Sequence, residues 1–284
     1  MALSNLSNLV LGWEARRDEL QREVIRKQAL VWGLPPLDFC ELNEPQVQYC
    51  RLSDPKRDGK SLKKKQCDLW EFCWGAGSLL AYLVAQVDVF TGKRCLELGG
   101  GIGLASLAVL SKYQVQELLM TDLVEDALRV FELSIRLQRC LLTPSVSVRT
   151  KTLNWNKPQD YDGEGRFDVV FGSDVLFMSW CAPLVAKICA KCLRPDGGLV
   201  FVLDPFRLND GLFQEALQSE GLGYFKSFIL SELLIQQVAL PLQDKLGSFV
   251  PVKRAKLLVA SNREINQELI AKLLGVGGLK EEEA

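Results

Sequence analysis

The sequence predicts an α/β protein with a mostly parallel sheet and helices on both faces. Three observations carry that prediction. From Cys67 onward, short apolar runs of strand length alternate with helical stretches. A glycine-rich turn, Glu97-Leu98-Gly99-Gly100-Gly101-Ile102-Gly103, sits between one such strand and the following helix. The chain has 284 residues, of which 48% are hydrophobic and 24% charged, ample for a packed core.

Before the alternation begins, residues 14–31 are rich in charge, Ala and Leu, with Leu20, Val24 and Val31 at roughly helical spacing. They predict an amphipathic helix stopped by Pro35-Pro36. An irregular stretch then runs to Gln66, punctuated by Pro45, Pro55 and Gly59. Within it Arg51, Lys56, Arg57, Lys60, Lys63, Lys64 and Lys65 form a basic segment, either a solvated loop or a nuclear address or dock for an acidic partner. Helices are expected over 75–86, 103–112, 124–139, 181–193 and 211–219. Strands are expected over 94–98, 117–121, 146–150, 167–172, 199–203, 224–230 and 255–260, seven in all. The last two pair antiparallel in this reading, because no crossover helix of ample length separates them. A final helix over 264–274 precedes a Gly-rich acidic end, 277–284, expected to fray. The organisation expected is therefore an extension over 1–66, a domain over 67–262, and a helix with tail over 263–284.

Thirty-four basic against 35 acidic residues leave a net charge of −1, so neither nucleic acid nor membrane is expected as a partner. No run approaches the roughly 18 apolar residues of a membrane span, and the N-terminus lacks a basic region followed by an apolar one. Nine cysteines without such a signal suit reduced thiols, and a cytoplasmic location, with the nucleus also open. The pair Cys189 and Cys192 falls on the helical pattern Leu184, Val185, Ile188, Cys192 and reads as core or helix surface rather than as a redox or metal site. No metal is expected. The chain contains no His, which excludes Ser-His-Asp and Cys-His nucleophiles, HExxH zinc sites and a His base. Any catalysis must rest on carboxylates, Tyr, Lys or backbone.

The glycine turn has the spacing G-x-G-x-G, and position 104, where a dinucleotide fingerprint wants its third Gly, is Leu. Glu97 would repel a phosphate but can pair with a cationic ligand. At the end of the next strand, Thr121-Asp122 offers a carboxylate for two ribose hydroxyls, or a cap for the helix that follows. The ligand implied is an adenosine that carries positive charge and no phosphate.

This pattern resembles motif I and the following acidic motif of the class I S-adenosylmethionine-dependent methyltransferases, a seven-stranded Rossmann-like fold. The turn Leu193-Arg194-Pro195-Asp196-Gly197-Gly198 is similar to that superfamily's. Three further pieces resemble the family 16 protein lysine methyltransferases: the W-x-A-x-x-x-L from Trp74, Leu153-Asn154-Trp155, and Ser173-Asp174-Val175-Leu176-Phe177, similar to D-x-x-Y/F. The resemblance covers about residues 67–207. It implies S-adenosyl-L-methionine as cofactor, with Glu97, Gly99, Gly101 and Gly103 along its methionine and ribose part. Asp122 would hold the ribose hydroxyls, with Leu123 beside the adenine and Trp155 over it, while Trp74 and Ser173 close the pocket. Trp74 and Trp155 are otherwise core aromatics.

Methyl transfer from a sulfonium is an in-line displacement, which asks a protein to place a lone pair and exclude water. Asp174, at the carboxyl end of a central strand, is the catalytic candidate, orienting the target nitrogen and accepting its proton; its other reading is a helix cap. Phe177 stands where many relatives have Tyr and offers a ring face to a cationic product. Arg207 either clamps an acidic target segment or holds a local carboxylate. The expected activity is methylation of a lysine in a specific protein partner, of acidic or chaperone and translation type, by a monomer. Other readings are arginine or histidine methylation, a small-amine methyltransferase and a non-catalytic binding protein.

Overall fold

The computed structural model describes residues 24–29, 37–42, 70, 74–137, 146–207, 209–239 and 252–282. Ten strands lie among them: β1 (Val24–Ala29), β2 (Leu37–Leu42), β3 (Arg94–Glu97), β4 (Glu117–Asp122), β5 (Ser147–Thr152), β6 (Val169–Ser173), β7 (Leu199–Asp204), β8 (Tyr224–Leu230), β9 (Lys256–Ser261) and β10 (Leu279–Glu281). The helices are α1 (Gly75–Val84), α2 (Leu104–Lys112), α3 (Glu125–Leu137), α4 (Cys181–Cys192), α5 (Asp210–Ser219), α6 (Glu232–Val238) and α7 (Gln267–Gly275).

Eight strands form one sheet in the order β10-β8-β9-β7-β6-β3-β4-β5. From β7 to β5 all pairings are parallel, whereas β9 is antiparallel to both β7 and β8. Strand chemistry explains the placement. The central strands β6 and β7 are buried apolar runs, as a sheet covered on both faces requires, while β5 at the edge alternates exposed and half-buried positions. Side chains divide by the two-residue period: Cys95, Val169, Phe171, Phe201 and Val259 join the core under α1, α2, α3, α6 and α7, and Leu96, Val170, Val200 and Leu258 join the core under α4 and α5. Phe90 fills the first core against Tyr113 and Phe171, with ring centroids 5.5 and 5.8 Å away.

The chain builds β3, β4 and β5 outward in one direction, then returns to lay β6 on the other side of β3. Such a reversal leaves a crevice at the carboxyl ends of the two flanking strands, where α/β proteins bind ligands. β3 ends at Glu97 and β6 at Ser173, so the glycine turn and Asp174 emerge on either side of it.

Three expectations are corrected. Residues 24–29 form not a helix but β1, paired antiparallel with β2 from Val24↔Leu42 to Ala29↔Leu37. A ladder partner eight or more residues away overrides a weak helical spacing. The rest of the expected helix and the basic segment 51–65 lie outside the described residues. The acidic end does not fray over 279–281: β10 adds to β8 as an eighth strand, Leu279 is buried, and Lys226 and Lys256 hold Glu281 and Glu282 at 2.5 and 2.8 Å. An otherwise open sheet edge supplies the partners that make this short segment a strand. Between β8 and β9 lies the short helix α6, capped by Ser231, which the sequence pattern did not announce. The expected antiparallel pairing of β8 with β9 holds.

Cys189 and Cys192 are both buried in α4, and burial pushes the Cys192 thiol up to about 11. The core reading of this pair is therefore the one observed. A Cys189→Ser/Cys192→Ser double variant would seat two hydroxyls in an apolar core, costing about 1–3 kcal/mol each. Its melting temperature should fall by several degrees with turnover at 20 °C retained; an unchanged melting curve would contradict this packing.

Candidate active site

The glycine turn is tied to both neighbouring strands. The Leu98 N–H donates to the Phe171 carbonyl at 2.9 Å, and the Gly100 N–H donates to the Thr121 carbonyl at 2.9 Å. Gly99, Gly101 and Gly103 all have left-handed backbone, φ +59°, +55° and +75°, which accounts for the alternate spacing. Gly103 also begins α2 against α3. A Cβ there would lie 2.7 Å from Cε2 and 2.9 Å from Cγ of Phe131, and closer still to Cδ2. Gly103→Ala combines a left-handed alanine with overpacking, together about 2–5 kcal/mol. Its chemical denaturation midpoint should fall accordingly; a shift under 0.5 kcal/mol would mean Phe131 yields freely.

Around the turn stand two carboxyls. Glu97 is 2% exposed and lies beneath Gly100, whose Cβ position is 3.1 Å from the Glu97 Cδ. Ser106 Oγ on α2 donates to Glu97 Oε2. Burial pushes this carboxyl up to about 8, the Ser106 hydrogen bond opposing the rise and Asp122 adding to it. Asp122 ends β4 in a shallower position. Its Oδ2 accepts from the Gly101 N–H at 2.9 Å and its Oδ1 from the Val124 N–H at 3.0 Å. One oxygen thus turns the chain just before α3, which begins at Glu125, so that Asp122 is not itself the helix cap, while the other pins the glycine turn. Burial raises the Asp122 carboxyl against the pull of these backbone donors.

Apolar surface flanks the acids. Leu123, next in the chain after Asp122, is 60% exposed. Trp155, on the segment after β5, is half-buried with its ring edge against the turn: Cζ2 lies 3.3 Å from a Cβ position at Gly99. Trp74 is half-buried at the N-cap of α1. Trp70, which sequence reasoning passed over, runs its backbone 3.8 Å from the Gly101 Cβ position, and its buried indole Nε1 has no partner among the described residues. Its one signal in the sequence was the four-residue spacing to Trp74.

The opposite wall is the loop after β6. Asp174 keeps the sheet ladder through its N–H, which donates to the Leu203 carbonyl at 2.8 Å, yet adopts φ +54°. The next helix begins only at Cys181, so Asp174 does not cap it. Its carboxylate is gripped by Arg207, Nε to Oδ1 at 2.9 Å and Nη2 to Oδ2 at 2.6 Å. Of the two readings of Arg207, the structure has the local carboxylate. Arg207 in turn donates its backbone N–H to Oδ2 of Asp204, the last residue of β7, at 2.8 Å. Asp204, 1% exposed, is pushed up to about 6 by burial. Its signal in the sequence was an acid ending an apolar strand, as Asp122 ends β4.

Phe177 is half-buried and meets Trp180 edge-on at 6.3 Å, giving two aromatic faces on this loop. Ser173, also half-buried, is the last residue of β6. The two walls touch: Val175 Cγ1 lies 3.3 Å from the Gly99 Cβ position. Gly99 thus lies against Trp155 and Val175 and Gly101 bonds Asp122, which gathers these groups at the carboxyl ends of β3, β4 and β6, with Glu97 sealed behind the turn.

Comparison with known proteins follows the same outline. A Thermus thermophilus 16S rRNA methyltransferase, solved with AdoMet and guanosine, superposes with a TM-score of 0.52 over 84% of this chain and 51% of its own, at 16% identity, a likeness of fold alone. An Arabidopsis thaliana protein named calmodulin-lysine N-methyltransferase is 30% identical over 105 residues, 37% of this chain and 34% of its own length. A Mus musculus protein named EEF1A lysine methyltransferase 3 is 27% identical over 139 residues, 49% of this chain and 56% of its own. The chain spans between a third and somewhat over half of the length of these curated relatives. A family model described as lysine methyltransferase matches residues 62–220. With more than half of its length inside that match, the chain belongs to the lysine methyltransferase family.

Proposed function

We propose that this protein is an S-adenosylmethionine-dependent methyltransferase acting on a lysine side chain of a partner protein. The observation that carries the reading is one of placement: an acid-flanked glycine turn packs directly on the loop that holds Asp174.

The donor set fits a cationic adenosine. The Asp122 carboxylate would repel a phosphate on the turn, whereas its lone pairs accept hydroxyl hydrogens. Asp122 would use the lone pairs left by Gly101 and Val124 for ribose hydroxyls. Leu123 and Trp155 would offer apolar faces for a purine, Trp74 and Ser173 would close the pocket, and left-handed Gly99 and Gly101 would let ligand approach the backbone. When bound, S-adenosylmethionine supplies a sulfonium methyl group open to in-line displacement.

The chain's own residues would prepare the acceptor. A lysine amine has a reference pKa of about 10.4 and attacks only when neutral. Asp174 accepts a hydrogen from that nitrogen, aims its lone pair, and takes the released proton directly or through water. Phe177 and Trp180 present ring faces on which a methylated ammonium product is stabilised. The names of the curated relatives, one for calmodulin and one for EEF1A, support a lysine in a specific protein as acceptor.

Incubating the protein with methyl-labelled S-adenosylmethionine and a cell lysate should give a discrete labelled protein band. Label confined to the small-molecule fraction would make the enzyme an amine methyltransferase instead.

A further inference from the structure

Asp204 carries a carboxylate oxygen with nothing to bond. Its Oδ2 accepts the Arg207 N–H, but Oδ1 is sealed from solvent without a partner among the described residues. Leaving a buried charged acceptor unpaired is costly, and such an oxygen calls for a donor, from ordered water or from another arrangement of the site. Two cations are tied to Asp204 by the fold, one across the ladder and one through its backbone N–H. Lys256, the register partner of Asp204 across β7 and β9, is committed elsewhere: its Nζ bonds Asp210 at 2.7 Å and Glu282 at 2.8 Å. Arg207 is the other. Its backbone is tethered to Asp204 and its side chain is 41% exposed.

The present position of Arg207 conflicts with the role of Asp174. A guanidinium forked across both oxygens of a carboxylate is a strong, oriented pair, and it occupies the group that an acceptor nitrogen needs. The backbone is held in left-handed conformation on both sides of the fork, at Asp174 (φ +54°) and at Phe206 (φ +57°). Strain of this kind collects where a site changes arrangement.

We propose that Asp204 is a second anionic seat for Arg207, which moves from Asp174 to Asp204 Oδ1 as the acceptor nitrogen takes its place on Asp174. Asp204 is then a positioning residue for the reaction. The inference rests on the reading of Asp174 as the acceptor-side carboxylate. The charged groups facing Asp204 are Asp174 from the loop after β6, Asp210 from α5, Arg207 from its own loop and Lys256 from β9. With the seat raised to about 6 by burial, lower pH neutralises it and holds Arg207 on Asp174.

A crystal structure of the Asp174→Asn variant tests the seat without any substrate. Asn tolerates the left-handed backbone and removes the first seat's charge. The guanidinium of Arg207 should then lie within hydrogen-bond distance of Asp204 Oδ1; a guanidinium still on residue 174, or turned to solvent with Oδ1 unpaired, overturns the proposal. In the methyl-transfer assay, Asp204→Asn should lower kcat about tenfold, leave the KM for S-adenosylmethionine unchanged and lose the acidic limb of the kcat profile. Wild-type kcat and profile in a variant that melts like the parent would also overturn it. If the unaltered protein transfers no methyl group, the functional reading fails, while the crystal structure still decides the seat.

Discussion

Asp174→Asn should reduce methyl transfer by about 10²–10⁴-fold, the contribution usual for a positioned proton acceptor, while leaving S-adenosylmethionine affinity within about twofold. Asparagine is the informative substitution. It tolerates φ +54°, keeps the N–H bond to the Leu203 carbonyl and nearly preserves side-chain shape, so the β6–β7 crossing stays intact. Alanine would add backbone strain to the loss of the carboxylate and confuse the two. Calorimetric titration reads the affinity and single-turnover labelling reads the chemical step. A variant that transfers at the parental rate would remove Asp174 from the mechanism. A variant that no longer binds the cofactor would place its carboxylate in the other half of the crevice.

The second large effect belongs to Glu97 and falls on stability. In the fold this carboxyl holds its proton up to about pH 8, against 4.5 as its ordinary value. Its contribution to stability is therefore fully present below about pH 4.5 and is lost as pH rises through about 8, where the buried group must ionise. The melting temperature of the ligand-free protein should fall over that interval. Glu97→Gln keeps an acceptor for Ser106 and removes the ionisation, so at pH 8.5 the variant should melt several degrees above the parent and track it at pH 5. Asp122 and Asp204 are raised too and share this sign, whereas Glu117 and Glu164, lowered by Arg94, Arg149 and Lys151, have the opposite one. The difference between variant and parent isolates Glu97. Parallel melting curves from pH 5 to 8.5 would show that Glu97 is not buried as an acid.

What the sequence disclosed follows how far each signal reaches along the chain. Left-handed Gly99, Gly101 and Gly103 write their own spacing, and the buried apolar runs of β6, β7 and β9 need no partner to be recognised as strands. Asp122 was legible because it ends the apolar run of β4. Features made by distant partners were not legible. β1 has a partner only once β2 exists, and β10 is a strand because β8 leaves an edge for it. The pairing of Arg207 with Asp174, 33 residues apart, depends on β6 and β7 ending side by side. Glu97 was read as a charge offered to ligand, but Ser106 and Gly100 close over it, and the carboxyl faces inward.

The central claim, that the acceptor is a lysine, is tested most directly by the chemical form of the transferred label. The protein would be incubated with methyl-labelled S-adenosylmethionine and lysate, the labelled band excised and hydrolysed, and its amino acids separated against methylated standards. Label recovered in mono-, di- or trimethyllysine, and absent with Asp174→Asn, is the expected result. Label in methylarginine or methylhistidine would contradict it.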